Sequence, residues 1–413
     1  MISNSIMQLS QDCKLMNICG IEMIGCPNTG VIIGLDKEGS QLVHKLKKGI
    51  DCNIEQLSES QKLLLNELIS NGFFTDQVEP YKVKRSYFHV TSRCNLNCEG
   101  CYSFEEHRNK KNDLTLEQIK AILDNLAEAG LCELVISGGE PFLRPDLYNI
   151  LEYAKKELKI EKIQCITNGT APIESYLKAS EYLDVLTFSL DSSNRHTSVI
   201  RPAEVFDAVT KKLSILKEQK VNVAIVFTIH HQNVDKCEDL CLFANNLGVD
   251  FRFSVFTVLE FTKKKSPLSL TESDYAKLYS FVSKQMSDAI SEHSWSGEIA
   301  CVLACGAGKN NVSISADGHI YPCHMFVGME QFCIGSALEG KVLELVNSNK
   351  SNPFLSLSVD NFQKCKDCHI RYVCGGGCRF RSYALHNSIY ATDKLCETYI
   401  HNKEQCIQKL LNP

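Results

Sequence analysis

Between about residue 86 and residue 256 the chain alternates short apolar runs with longer stretches where apolar residues recur every three or four positions. The runs at 86–91, 132–137, 161–167, 184–190, 221–229 and 250–256 predict strands. The stretches between them, such as Leu116 to Ala129, Val205 to Lys217 and Val234 to Leu247, predict helices with one apolar face. Strand and helix alternating at this spacing imply a parallel sheet built from βαβ units. Six units fall short of a closed eight-stranded barrel. The expectation is therefore an α/β fold, an open partial (β/α)6 barrel, with chemistry at the C-terminal ends of its strands.

The flanks read differently. In residues 1–75 the turn signal Cys26-Pro27-Asn28-Thr29-Gly30 precedes the apolar run Val31 to Leu35, which predicts a hairpin. Helices are expected from Gln41 to Lys48 and from Ser60 to Ser70, the second stopped by Asn71-Gly72. Residues 76–85, polar with a proline, read as a linker. From about residue 293 periodicity fades while glycine and cysteine rise, so a loop-rich segment with little core of its own is expected, stapled by metal. Domain boundaries follow at 1–80, 84–292 and 293–413.

The chain has 413 residues, 44% hydrophobic and 23% charged, with a formal charge of −5, an ordinary soluble mixture that carries no footprint for nucleic acid or an anionic membrane. The N-terminus shows no secretory signal and no apolar run reaches the ~18 residues of a membrane span, so a cytoplasmic protein is expected. Cysteine changes the picture. Twenty-one cysteines in a reducing compartment point to metal ligation rather than disulfides. Eleven of them fall into patterned groups at 94–101 and 301–396, and the other ten read mostly as small buried hydrophobes.

The first group, Cys94-x3-Cys98-x2-Cys101, follows the first strand. Three thiolates on one loop can hold three irons of a [4Fe–4S] cube and leave the fourth open to a substrate or cofactor; zinc is the competing reading. One βα unit later stands Ser137-Gly138-Gly139-Glu140-Pro141, where two glycines allow close backbone approach to a ligand and Glu140 can accept from an amino group. Together these motifs resemble the radical S-adenosylmethionine (SAM) enzymes. The resemblance implies that Cys94, Cys98 and Cys101 hold the cluster and that Gly138, Gly139 and Glu140 sit at the SAM methionyl group. It also implies that Ser189 and Arg201 meet the SAM carboxylate and ribose. One departure is Gly100, where relatives usually carry an aromatic near the adenine.

The C-terminal cysteines carry a second resemblance. Cys305-x12-Gly318-x4-Cys323, then Cys365-x2-Cys368-x5-Cys374-x3-Cys378 and Cys396, resemble the SPASM extension, which binds two auxiliary [4Fe–4S] clusters. By that pattern Cys305, Cys323 and Cys378 ligate auxiliary cluster I, and Cys365, Cys368, Cys374 and Cys396 ligate cluster II. Cys301 is the expected fourth ligand of cluster I; without it the open iron would accept a substrate thiolate. The N-terminal segment resembles the winged-helix leader-recognition domain of ribosomal-peptide maturases, which binds an extended leader by strand addition, as against a plain structural cap.

The resemblance as a whole implies one-electron cleavage of SAM to a 5′-deoxyadenosyl radical, with three [4Fe–4S] clusters and an external donor such as flavodoxin or ferredoxin. The favoured product is a modified, cysteine-containing ribosomal peptide with a thioether cross-link; a carbon–carbon cross-link or epimerisation is also open. The alternatives are an anaerobic sulfatase-maturing enzyme, in which an Asp commonly stands where this chain has His324, and a non-enzymatic iron–sulfur or zinc scaffold. No acid–base residue is assigned.

Overall fold

The computed structural model describes residues 8–50, 53–76, 79–103, 109, 113–259, 266–285 and 299–411. The expected boundary at 292/293 lies outside them. The strands are β1 (Lys14–Ile18), β2 (Ile21–Gly25), β3 (Ile32–Gly34), β4 (Arg85–His89), β5 (Glu133–Ser137), β6 (Lys162–Thr167), β7 (Val185–Leu190), β8 (Val223–Ile229), β9 (Asp250–Val255), β10 (Asn311–Ile314), β11 (His319–Tyr321) and β12 (Gly335–Ser336). Strands β4 to β9 are parallel, neighbours in chain order, and coincide with the six apolar runs. A helix follows each.

Helix Leu116–Glu128 shows how sequence makes these elements. Thr115 accepts from Gln118 N and the Gln118 side chain accepts from Thr115 N, a capping box that starts the helix. Ile119, Ile122, Leu123 and Leu126 then fall on one face and are buried in the main core with Phe88, Leu134 and Ile136 of the sheet.

Two features depart from expectation. The C-terminal segment is not only loops. β10 adds parallel to β4, and β11 and β12 follow antiparallel, so the sheet has nine strands in the order β12-β11-β10-β4-β5-β6-β7-β8-β9. Strands of two to four residues are too short to show a period. The stretch read as a linker is also packed: Val83 is fully buried with its N–H on Ala129 O, and Lys84 N donates to Asn310 O.

Strands β1, β2 and β3 form a separate antiparallel sheet. The expected hairpin is its β2–β3 half; β1 was not foreseen. One face carries Leu15, Ile24 and Ile33 against helices Lys37–Lys47 and Glu59–Ser70. The other turns Met16, Ile18 and Met23 into a core shared with Phe326, Phe354 and Tyr372 of the C-terminal segment. Among the described residues no helix is long and apolar enough to cross a membrane.

Candidate active site

The cysteine loop leaves β4 on the side where the C-terminal ends of β5, β6 and β7 emerge. The close approach expected of a ligand at the two glycines is made first by the chain itself. A Cβ on Gly138 would lie 2.3 Å from Thr91 O, and one on Gly139 2.1 Å from Arg93 O. Gly139 N donates to Thr91 O (2.8 Å) and Glu140 N to Arg93 O (2.7 Å), so the end of β5 grips the backbone leading into Cys94. Asn168, beyond β6, sets its Nδ2 3.8 Å from Cys94 Sγ and donates to Asn95 Oδ1. N–H groups aimed at a ligating sulfur tune a cluster, and Asn168 carried no motif that would have flagged it.

Glu140 was expected to face an amino group. It is buried instead among protein donors: Oε1 accepts from Thr167 Oγ1 (2.7 Å) and Phe142 N (3.2 Å), and Oε2 from Asn168 N (2.7 Å). Burial pushes its pKa up to about 7 against these bonds. Its side chain ties the end of β5 to the end of β6.

Ser189 lies on β7, half-buried. Asp191, fully buried just beyond, accepts from Val199 N and Ile200 N (3.0 Å each) and pairs with Arg201 Nη1 at 3.3 Å. Arg201 Nε is buried without a hydrogen-bond partner. A guanidinium with an unspent buried donor fits a ligand carboxylate.

Behind the loop sits a polar aromatic group not assigned from sequence. Tyr102 Oη meets Ser137 Oγ at 2.6 Å, its ring stands 5.8 Å from His89 and 5.2 Å from His324, and His324 stacks on Tyr87 at 4.2 Å. Burial pushes His89 down to about 4 and His324 to about 3, so both are neutral. His89 Nε2 and His324 Nδ1 have no partner. His324 follows Cys323, so this group joins the cysteine loop to the C-terminal thiols.

Those thiols gather in two sets. The charge of Cys378 acts on Cys305 and on Cys323, and Cys305 acts on Cys323. Separately, Cys365, Cys368, Cys374 and Cys396 line one cavity of about 240 Å³. Burial pushes the thiols of Cys305 and Cys365 up, and the charge of buried Arg379 works against that rise at both. Among the described residues no three such side chains are drawn in to metal-ligating distance; the grouping, not a coordination geometry, is what the structure supplies.

Cys301 packs in the same apolar cluster as Cys305, Cys323 and Cys378 and also touches the N-terminal sheet. Its N–H donates to Gly30 O (2.8 Å), its Sγ lies 2.6 Å from where a Gly25 Cβ would be, and the charges acting on it are Cys26 and Lys14. The chain at 301 runs beside the β2–β3 turn, with its thiol against Gly25 at the end of β2. Burial pushes it up to about 12, a neutral core thiol.

A parallel α/β sheet with a cysteine loop at its C-terminal edge and a cysteine-rich appendage defines a class: an iron–sulfur enzyme with its reaction in the barrel mouth. Comparison with known proteins gives the family. The radical SAM superfamily model matches residues 88–244 and the SPASM iron-sulfur cluster-binding domain matches residues 305–369. The chain is a radical SAM enzyme with a SPASM domain, and its cofactors are iron–sulfur clusters and SAM. It is 26% identical over 322 residues to the subtilosin biosynthesis protein AlbA of Bacillus subtilis, covering 75% of this chain and 69% of AlbA. It is 25% identical over 368 residues to a cysteine-type anaerobic sulfatase-maturating enzyme of Clostridium perfringens, covering 78% of this chain and 96% of that one. Among solved structures, anSMEcpe with bound AdoMet superposes with a TM-score of 0.62 at 20% identity, covering 80% of this chain and 98% of that one. Streptococcus suis SuiB bound to precursor peptide SuiA superposes at 0.60 and 18% identity, covering 94% and 99%.

Proposed function

We propose that this enzyme modifies a ribosomally made, cysteine-containing precursor peptide and closes a thioether on it. In this reading residues 1–80 hold the leader, 84–292 form the barrel and 293–413 carry the auxiliary clusters. When bound, the cluster on Cys94, Cys98 and Cys101 together with SAM supplies a 5′-deoxyadenosyl radical that takes hydrogen from a substrate carbon. The chain's own part is placement: Gly138 and Gly139 seat the cysteine loop, Arg201 offers its free N–H to the SAM carboxylate, and Ser189 lines the same mouth. An external one-electron donor of the flavodoxin or ferredoxin kind is required.

The observation that carries the thioether is the placement of Cys301. With that thiol held against β2, Cys305, Cys323 and Cys378 form a set of three, and a set of three leaves a position for a substrate sulfur. Support for a leader-bound substrate comes from coverage: SuiB bound to precursor peptide SuiA aligns with 94% of this chain, whereas anSMEcpe aligns with 80%, or 79% with a peptide bound.

The test is anaerobic turnover of full-length enzyme with a cysteine-containing precursor encoded beside its gene. The expected product has lost two hydrogens and a thiol that alkylation would otherwise mark, and Cys301→Ala keeps its iron and its turnover. A hydrazide-reactive aldehyde would move the assignment to sulfatase maturation. Loss of cluster iron in Cys301→Ala would restore Cys301 as a ligand and remove the argument for the thioether.

A further inference from the structure

Gly100 stands between Cys98 and Cys101 with φ +66, and its missing side chain is not empty space. A Cβ there would lie 2.2 Å from Cε2 and 2.4 Å from Cζ of Phe256. Phe256 is the first residue beyond β9, at the far edge of the six parallel strands from the loop it touches, and is 5% exposed. It belongs to a small apolar cluster of its own, with Ile200 and Leu268 buried beside it and Cys98 and Val258 packed against it. Ile200 is the neighbour of Arg201, and its N–H is held by Asp191. A second tie runs the same way: Ser266 Oγ donates to the Glu99 carboxylate. One ring thus touches the loop after β4, the loop after β7 and the segment after β9.

The start of the cysteine loop is fixed by Asn109, whose Oδ1 accepts from Cys94 N and whose Nδ2 donates to Cys94 O, and by Asn168 and Thr170 at Asn95. Its far end, at Glu99 and Gly100, meets Ser266 and the Phe256 ring. Sites of this kind depend on the packing behind their ligands. We propose that Phe256 is the positioning residue of the cysteine loop, and that Gly100 and Phe256 act as a size-matched pair: the glycine leaves the space and the ring from the opposite edge of the sheet fills it. The pair holds Cys98 and Cys101 in register with the Ile200–Arg201 corner, so the sulfurs and the guanidinium stay at one spacing. The ring also keeps water from that side of the loop. The proposal rests on the reading of Cys94, Cys98 and Cys101 as cluster ligands.

The experiment uses full-length, anaerobically reconstituted protein and compares Phe256→Ala, Phe256→Leu, Gly100→Ala and the Gly100→Ala/Phe256→Ala double variant. Iron content and thermal unfolding report folding, and the electron paramagnetic resonance spectrum of the reduced protein titrated with SAM reports the site. Phe256→Ala is expected to keep its C-terminal iron, weaken SAM binding at least tenfold and broaden the SAM-dependent signal. Phe256→Leu, which refills part of the space, recovers most of the affinity. Gly100→Ala alone is impaired, and the double variant binds SAM better than Gly100→Ala alone, because the ring that clashed is gone. A native SAM titration in Phe256→Ala, or a double variant whose loss is the sum of the two single losses, overturns the pairing. Persistence of the SAM-responsive signal in Cys98→Ala would overturn the ligand assignment and the proposal with it, which separates the two failures.

Discussion

At the scale of single residues, Glu140 does most to join the strand ends. Its three accepted hydrogen bonds favour the carboxylate, yet burial outweighs them and its pKa is pushed up to about 7 from 4.5. The native protein therefore keeps a proton that the unfolded chain releases as pH rises through that window. The site loses stability from about pH 4.5 to about pH 7, by about 3 kcal/mol at ~1.4 kcal/mol per unit. His89, held neutral with its pKa down at about 4, contributes the opposite slope, gaining stability as pH rises toward its ordinary value. His324, down at about 3, adds to that opposite slope, so the wild-type profile mixes the three groups and the variant is the test. Glu140→Gln cannot ionise, and its Tm relative to wild type should rise between pH 5 and pH 7.5. A Tm difference that stays flat over that range would mean the carboxyl is ionised throughout.

At the scale of elements, the contact between the end of β5 and the cysteine loop decides whether the sulfurs are held at all. The backbone of residues 138–140 lies on the backbone of residues 91–93, and no flexible side chain intervenes to absorb a shift. Gly139→Ala would place a methyl 2.1 Å from Arg93 O. The expected cost is above about 2 kcal/mol, in the range of overpacking against fixed backbone. Its effect should be local: iron assigned to the first cluster falls while the C-terminal iron stays, measured by iron content with and without the cysteines at 365–396. Equal loss from both regions would mean that the substitution unfolds the protein rather than displacing the loop. Short elements elsewhere escaped the sequence reading for a simple reason. β10 runs Asn-Val-Ser-Ile and becomes a strand by pairing with β4, not by any period of its own.

At the scale of the whole molecule, the N-terminal sheet is pinned to the C-terminal segment. Met16, Ile18 and Met23 share its core, Lys14 pairs with Asp360 at 3.3 Å, and Cys301 N donates to Gly30 O. Cutting off residues 1–75 would uncover that core, so the leader-binding role is better tested by a point change in the intact chain. In the β2–β3 ladder, Cys26 N bonds to Val31 O and Leu35 N to Glu22 O. Bonded residues alternate in antiparallel pairs, so the N–H groups of Ile32 and Gly34 point to the outer edge of β3. Gly34→Pro removes one of these outward donors and leaves the inner ladder intact. Leader affinity measured by fluorescence anisotropy should drop about tenfold with iron content unchanged, of the order of one charge-free hydrogen bond and the fit around it. Unchanged affinity would place the leader elsewhere.

Much of this was written in the local pattern. Six apolar runs became six parallel strands because buried parallel strands must be apolar nearly throughout, and that needs no knowledge of neighbours. The SPASM resemblance named both sets of C-terminal thiols; proximity in sequence could not, because Cys305, Cys323 and Cys378 lie far apart along the chain. Contacts between distant segments left no such trace. The Cys301 thiol lies four residues from Cys305 and reads as its companion, and nothing local announced that the β2–β3 turn would pack beside residue 301 with Gly25 against its sulfur. Gly100 looked like an absence, and the ring that fills it arrives from residue 256. Glu140 looked free to meet a ligand, and its oxygens are taken by donors at the end of a neighbouring strand. Local spacing and resemblance named the residues proposed to carry the chemistry; tertiary packing decided what each one touches, because a side chain's direction is set by what is pressed against it.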